Sequence, residues 1–191
     1  MYLFFDTETT GLPKLYHAPV TDTDNWPRLV QIAWALFDET GKELAKHESI
    51  VKPDGFVIPQ EASDVHGVTQ ERAEKEGIHL DSALDQFIWA LKESEYLVAH
   101  NIRFDEKIVG AELVRQGFNH QLMNTNKICT MLASTEFCEI PGRYGYKWPT
   151  LKALHTKLLG SDVEDAHNAL ADVEAMVKCF FELKNRNVIL D

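Results

Sequence analysis

Two acidic residues near the N-terminus, Asp6 and Glu8, have a type and spacing that suggest chemistry. They follow the apolar residues 1–5, which predict a short strand buried on both faces. Because side chains alternate along a strand, both acids would leave one face, with α-carbons about 6–7 Å apart. Such carboxylates repel each other, and divalent ions such as Mg²⁺ use oxygen ligands of this kind. The spacing alone is equally compatible with a strand that has already ended and left both acids in water.

Two further acids border apolar helix faces. Asp105 follows a predicted strand at 96–99 and lies one helical turn before two apolar residues. Asp172 lies at the edge of the apolar stripe of a helix predicted at 166–184. An acid beside a buried face costs stability unless it has a partner, so both are candidates for the same site. Either one could equally be an edge residue that reaches water.

The spacing His-x4-Asp occurs twice, as His100 with Asp105 and as His167 with Asp172. The spacing by itself is weak evidence, because neither residue type is rare in this chain. Residues five apart on a helix differ by about 140° in direction. If His167 and Asp172 share a site, His167 must therefore lie at or before the first turn of its helix. Asp165 is a candidate N-cap that would allow this.

The elements that must position these residues predict one α/β domain. The chain has 191 residues, of which 45% are hydrophobic and 26% charged, and this is enough for a substantial core. Apolar runs bounded by turn signals predict strands at residues 1–5, 29–38, about 43–51, 96–99 and 127–132, the last passing into a helix. Helical periodicity and capping residues predict helices at 69–77, 81–93, from 100 to about 116, 150–160 and 166–184. The tight turn at 39–42 makes the second and third strands antiparallel, so we expect a mixed sheet covered on both faces.

Four segments follow one another along the chain: DTETTG at 6–11, VHGVT at 65–69, HNxxFD at 100–105 and AHNALAD at 166–172. They resemble the motifs of the DEDDh family of 3′–5′ exonucleases, which includes the DnaQ-like proofreading subunits, RNase T and oligoribonuclease. The resemblance covers nearly the whole chain and is greatest to the DnaQ-like members. It implies an RNase H-like fold, with a mixed five-stranded sheet and helices on both faces, in a single exonuclease domain over residues 1–191.

The resemblance also implies roles for individual residues. Asp6, Glu8, Asp105 and Asp172 would be the acidic ligands of two Mg²⁺ or Mn²⁺ ions, and His167 would be the general base. Asp6 would face both ions, Glu8 and Asp172 would complete one site, and Asp105 would support the other through water. Contacts to the terminal nucleotide would come from Thr9, Thr10, Gly11, Leu12 and His66. Within this set Gly11 suits a turn with positive φ, and Leu12 would act as a wedge or stacking residue. His100 is expected to form structural hydrogen bonds.

The formal net charge of −11 opposes long-range binding of a polyanion. Two divalent ions would reduce it to about −7, and an acidic chain can still engage a frayed 3′ end through metal and stacking. The segment 141–149 mixes two cations, Arg143 and Lys147, with aromatic residues. It could be a lid or strand guide beside the site, or equally a Gly/Pro loop whose aromatic residues cover the core.

We therefore expect a metal-dependent 3′–5′ exonuclease that acts on single-stranded 3′ ends, with DNA favoured, and releases nucleoside 5′-monophosphates. The alternatives are an exoribonuclease similar to RNase T or oligoribonuclease, and a non-catalytic module that binds nucleic-acid ends or a polymerase. Any polymerase or helicase partner would be a separate protein, because the chain ends soon after its last predicted helix. Three cysteines without zinc-type spacing, and the lack of a signal peptide or membrane span, favour a cytoplasmic location.

Overall fold

A mixed five-stranded sheet forms the centre of the computed structural model, which describes residues 1–118, 122–161 and 168–189. Its strands are β1 (Tyr2–Thr9), β2 (Leu29–Phe37), β3 (Glu43–Ile50), β4 (Tyr96–Ala99) and β5 (Asn126–Cys129). Their order is β3-β2-β1-β4-β5. The β1–β2 and β2–β3 pairs are antiparallel, whereas β1–β4 and β4–β5 are parallel. The predicted mixed sheet is therefore confirmed, and with it the RNase H-like fold.

Strand β1 is the middle strand, and it is longer than its apolar run. It continues through Asp6 and Glu8 to Thr9, so the possibility that the strand ends before the acids is wrong. One face of β1 packs on a helix through Phe5, whose ring centroid lies 5.3 Å from that of Phe87. On the opposite face Phe4 lies 5.0 Å from Phe180. Helices therefore cover both faces, and alternation places the two acids on the Phe4 side.

The helices are α1 (Gln60–His66), α2 (Gln70–Glu76), α3 (Leu80–Glu93), α4 (Ile102–Arg115), α5 (Thr130–Ala133), α6 (Thr135–Cys138), α7 (Leu151–Leu159) and α8 (Ala169–Asn185). A 3₁₀ turn spans Leu122–Asn124, and a short hairpin joins β6 (Pro141–Gly142) to β7 (Gly145–Tyr146). Helices α2 and α7 begin at the predicted caps, since the Thr69 and Thr150 hydroxyls accept main-chain N–H groups. No helix within the described ranges has the length and apolar character needed to cross a bilayer.

The helices differ from the sequence-based expectation at α1, at α6, which was not predicted, and at the start of α8. Helix α1 was not predicted, because it has only seven residues between Pro59 and Gly67 and no extended apolar period. Helix α8 begins after its N-cap Asn168, whose Oδ1 accepts the N–H groups of Leu170 and Ala171 at 3.1 Å, and thus later than the predicted start at 166. Residues 162–167, which include Asp165 and His167, lie outside the described part of the chain.

Candidate active site

Three carboxylates converge where β1 meets α8. One oxygen from each of Asp6, Glu8 and Asp172 lies within 4.8 Å of the other two. Asp6 and Glu8 reach this point because both leave the face of β1 that α8 covers. Asp172 reaches it from the first turn of α8. All three side chains are half-buried, so the fold brings like charges together away from bulk water.

Asp105 approaches the same place from the first turn of α4, where its side chain is only 3% exposed. The register pairs of β1 with β4 end at Phe4, so later residues of β1 have no strand partner on that edge. The N-terminus of α4 fills the gap, and Asp105 Oδ1 accepts hydrogen bonds from Thr7 N–H at 3.1 Å and from Thr7 Oγ1 at 2.7 Å. Asp105 is thus held beside the three converging acids but is not one of them. The part that Thr7 plays was missed in the sequence.

The acids strongly perturb one another. Burial, followed by the charges of Asp105, Glu8 and Asp172, raises the pKa of Asp6 well above its usual range. Burial and the charges of Asp172 and Asp105 raise the pKa of Glu8 to about 8. Burial also raises the pKa of Asp105, against the lowering effect of the Thr7 hydrogen bonds. No Lys or Arg in the described ranges forms an ion pair with Asp6, Glu8 or Asp105.

This donor set fits a hard divalent cation. All the ligand atoms are carboxylate oxygens, which Mg²⁺ and Mn²⁺ prefer over sulfur or imidazole. Burial and the charges of neighbouring acids raise the pKa of Asp6 and Glu8, and no described Lys or Arg forms an ion pair with either residue. A cation at Asp6, Glu8 and Asp172 would supply that compensation.

A cavity of about 470 Å³ opens beside Glu8. Its walls are formed by Thr7, Glu8, Thr9, Thr10, Gly11, Leu12, Pro59, Glu61, Ala62, Val65, His66 and Phe104. The structure therefore brings the predicted residues 9–12 and His66 together around one space. Gly11 has φ of +145°, and Leu12 is 74% exposed at the rim. The loop is held by hydrogen bonds from Thr9 Oγ1 to Gly11 O at 2.7 Å and from Arg28 N–H to Thr10 Oγ1 at 2.9 Å.

His66 presents one defined hydrogen-bonding atom to its surroundings. Its Nδ1 accepts the N–H of Val68 at 3.1 Å, so the proton of the neutral ring resides on Nε2. Burial lowers the pKa of His66, against a smaller raising effect of a hydrogen bond to the Thr9 main chain, and the net lowering favours the neutral ring. Nε2 is buried and meets no acceptor at full hydrogen-bond geometry among the described residues, so the Thr9 contact is a weak one. His66 therefore lines the cavity with a donor that is at most weakly engaged.

The segment 141–149 is anchored close to the acids. His100, which directly follows β4, contacts Thr130 Oγ1 through Nδ1 and the carbonyl of Pro149 through Nε2, both at 3.0 Å. These are the structural hydrogen bonds expected of His100. Because β4 runs parallel to β1, the carbonyl of Pro149 lies at the end of the sheet that carries Asp6.

The aromatic residues of this segment face solvent. Tyr144 is 90% exposed and Trp148 is 61% exposed, so the alternative in which the aromatics cover the core is wrong. The guanidinium of Arg143 lies 5.2 Å from the centroid of the Tyr144 ring. Neither Arg143 nor Lys147 forms an ion pair with any residue that the structure describes. The hairpin thus presents two cations and exposed rings to its surroundings.

Comparisons with known proteins place nearly the whole chain among exonucleases. The family model RNase_T, described as "Exonuclease", matches residues 3–180. The chain is 29% identical over 185 residues to the 3′–5′ exonuclease DinG of Bacillus subtilis, covering 95% of this chain and 17% of DinG. It is 29% identical over 181 residues to the DNA polymerase III subunit epsilon of Treponema pallidum, covering 92% of this chain and 73% of that subunit. Escherichia coli Exonuclease I in complex with a dT13 oligonucleotide superposes with a TM-score of 0.76 at 20% identity, covering 97% of this chain and 41% of that one.

Proposed function

This chain belongs to the exonuclease family, and on that premise we propose that it removes nucleotides one at a time from single-stranded 3′ ends, with DNA as the favoured polymer. Family membership makes it a hydrolytic nuclease. The observation that carries the finer proposal is the group of acids beside a cavity large enough for a nucleotide. DNA is favoured because a relative is named as a DNA polymerase subunit and a structural neighbour was solved with a DNA oligonucleotide.

We assign the metal-binding role to the four acids. Asp6, Glu8 and Asp172 would hold one divalent ion, and Asp6 with the Thr7-held Asp105 would support a second. Two such ions, Mg²⁺ or Mn²⁺, would supply Lewis-acid stabilisation of the charge that develops on the phosphate oxygens during displacement. The contribution of the chain is to gather the carboxylates before the substrate arrives, so that little reorganisation is needed.

The cavity would hold the terminal nucleotide. The exposed Leu12 side chain would stack on or wedge against the terminal base, and Phe104 would form an apolar wall. Residues 9–11 would bring main chain close to the nucleotide, since Gly11 places no side chain between them. His66 would donate its Nε2–H to an acceptor on the sugar or base, and its lowered pKa keeps it neutral for this purpose.

We assign the general base to His167, the residue immediately before the N-cap of α8. It would accept a proton from the attacking water as the new P–O bond forms and the bond to the 3′ oxygen breaks. The products would be a nucleoside 5′-monophosphate and a chain shortened by one residue. We expect His167→Ala to lower kcat about 10²–10⁴-fold with Mn²⁺ affinity unchanged, whereas His17→Ala in the exposed loop leaves both unchanged. An unaltered kcat in His167→Ala would remove this residue as the base.

The hairpin at 141–149 would guide the strand that leads into the cavity. Its cations would neutralise phosphates locally, which a chain of net charge −11 cannot do over its whole surface. The double variant Arg143→Glu/Lys147→Glu should raise the KM for a single-stranded 12-mer several-fold, with kcat changed far less. The matched control is Lys92→Glu/Lys178→Glu, which removes two exposed cations from α3 and α8. Equal KM values for the two double variants would contradict the guiding role.

A polymerase-associated role is a further part of the proposal, supported by the name of the Treponema pallidum relative. In that role residues 1–191 would act as one catalytic domain alongside a separate polymerase or helicase. Co-sedimentation with a bacterial replicative polymerase subunit would test it.

One experiment tests the proposed reaction and polymer together. Single-stranded DNA, single-stranded RNA and a mismatched duplex, each labelled at the 5′ end, are digested in parallel with Mg²⁺, with Mn²⁺ and with chelator. We expect a ladder that shortens from the 3′ end only with metal, fastest for single-stranded DNA. A ladder that persists in chelator would contradict the metal-dependent mechanism, and faster digestion of RNA would assign the chain to the exoribonucleases.

A further inference from the structure

Two polar residues outside the acidic motifs project from the same face of the sheet as Asp6 and Glu8. Gln31 on β2 lies directly opposite Glu8, and Ala33 lies opposite Asp6. On the next strand Glu48 lies opposite Ala33. Directly opposed residues of neighbouring strands share a face, so Gln31 and Glu48 continue the row of acids toward the edge strand β3. Gln31 is fully buried, and Glu48 is exposed at the edge.

A single carboxylate oxygen of Glu48 links three elements. It accepts a hydrogen bond from Gln31 Nε2 at 2.5 Å and another from Asn168 Nδ2 at 3.5 Å. The Oδ1 of Asn168 meanwhile caps α8 by accepting the N–H groups of its first turn. The start of α8 is therefore tied to both β2 and β3 through one atom.

A second link lies nearly two turns further along α8. Lys46 of β3 forms an ion pair with Glu174 at 2.8 Å. Asp172 lies in the sequence between Asn168 and Glu174, so the segment that carries it is attached to the edge strand on both sides. Exposed ion pairs of this kind add little stability. Ala169 and Val173 of this segment are buried, but apolar packing does not depend on direction and allows the helix to shift. Hydrogen bonds do depend on direction. The polar links therefore define where the helix begins.

We infer that Gln31 and Glu48 are positioning residues that fix the start of α8, and with it Asp172, against Asp6 and Glu8. This inference rests on the proposed function of the acidic site. His167 is joined to Asn168 by a peptide bond, so a displaced helix start would also affect the candidate base. Small misplacements of reacting groups can lower rates by about 10²-fold, which sets the size of the effect to look for.

The first test compares Glu48→Ala with two matched variants. Glu48→Gln retains an oxygen that can accept from Gln31 and Asn168. Glu74→Ala removes an exposed glutamate of α2 that accepts a glutamine side chain, Gln70 Nε2, in the same way but lies outside the acidic group and the sheet that carries Gln31 and Glu48. We expect Glu48→Ala to lower kcat on single-stranded DNA about 10–100-fold with an unchanged KM, and to weaken Mn²⁺ binding measured by calorimetry. Glu48→Gln and Glu74→Ala should keep wild-type values of kcat and of Mn²⁺ affinity.

The second test exchanges the donor and the acceptor of the hydrogen bond between Asn168 and Glu48. Asn168→Asp keeps the capping oxygen of α8 but replaces the Nδ2 donor with an oxygen that repels Glu48. We expect this variant to lose kcat while its melting temperature stays at the wild-type value or rises. Adding Glu48→Gln returns a donor from the β3 side, so the double variant should recover most of the lost kcat.

The inference is wrong if Glu48→Ala loses no more kcat than Glu74→Ala. It is also wrong if the double variant is no faster than Asn168→Asp alone. A failure of the proposed function gives a different result, because the wild-type chain would then show no metal-dependent digestion. In that case the Mn²⁺ affinity still tests the positioning role of Glu48. An affinity that Glu48→Ala leaves unchanged would overturn that role.

Discussion

Glu112 and the acids around Asp6 are carboxylates inside the same fold with opposite surroundings. Glu112 on α4 is 1% exposed, yet its Oε1 accepts from Arg28 Nε and from Leu29 N–H, each at 2.9 Å. Arg115 forms an ion pair with the same oxygen at 2.9 Å. Two cations and a main-chain donor thus surround one buried charge and tie α4 to the start of β2.

Among the described residues, Asp6 and Glu8 have other acids as neighbours and no ion-paired Lys or Arg. Asp6 and Glu8 face Asp172 and Asp105, and burial together with these charges raises the pKa of both. Burial alone therefore does not distinguish a functional carboxylate from a structural one. Within the described residues, the distinguishing feature is positive charge, which Arg28 and Arg115 supply at Glu112 and which, under the proposed function, a metal ion would supply at Asp6.

The largest expected effect is on catalysis at the uncompensated acids. Asp6→Asn should lower exonuclease activity on the order of 10³-fold, because the amide cannot provide the charge that the bound ions require. Its metal-free melting temperature at pH 8 should equal or exceed that of the wild type, since one repelled charge is gone. Mononucleotide release and thermal unfolding measure the two quantities. Unfolding of Asp6→Asn would instead make this acid a structural residue similar to Glu112.

The second expected effect is on stability at the compensated acid. Glu112→Gln should lower the free energy of unfolding by about 3 kcal/mol, because Arg28 and Arg115 lose their shared counter-charge inside the protein. Urea denaturation measures this change. The kcat at a temperature where the variant is folded should remain that of the wild type. A Glu112→Gln variant with wild-type stability and reduced kcat would contradict the structural role of Glu112.

A smaller effect is expected from pH. The pKa of Glu8 rises from its ordinary 4.5 to about 8 on folding, so between these values the folded state binds a proton that the unfolded state has released. The free energy of unfolding of the metal-free protein should therefore fall as the pH rises from about 4.5 to 8. Urea denaturation at pH 5 and pH 8 measures the fall. Mg²⁺ should restore stability at pH 8 more than at pH 5, and Glu8→Gln should flatten the profile. A profile that Glu8→Gln leaves unchanged would contradict the electrostatic description.

The sequence was informative where a local rule determines structure. The period of two along a strand correctly placed Asp6 and Glu8 on one face. Cap chemistry at Thr69 and Thr150 correctly located two helix starts. At α8 the same rule predicted Asp165, and it overlooked Asn168, which is an equally good N-cap residue and accepts the first N–H groups of the helix.

The contacts that complete the site depend on quantities that no local pattern reveals. Thr7 binds Asp105 because β4 has only four residues and leaves the later residues of β1 without a strand neighbour on that edge. Gln31 and Glu48 meet because of the register of three strands. The exposure of Tyr144 likewise follows from its place in the two-residue turn between β6 and β7. The composition of residues 141–149 was equally compatible with a loop whose aromatic residues are buried.

The most direct test of the central claim is a calorimetric titration of Mn²⁺ into the metal-free protein at pH 7, repeated in two buffers of different ionisation enthalpy. If the acids around Asp6 form the metal site, binding must displace the proton that Glu8 holds at this pH, so the apparent enthalpy will depend on the buffer. We expect proton release in the wild type and in Glu112→Gln, and loss of tight binding in Asp6→Asn. Binding without proton release, or binding of unchanged affinity in Asp6→Asn, would contradict the account.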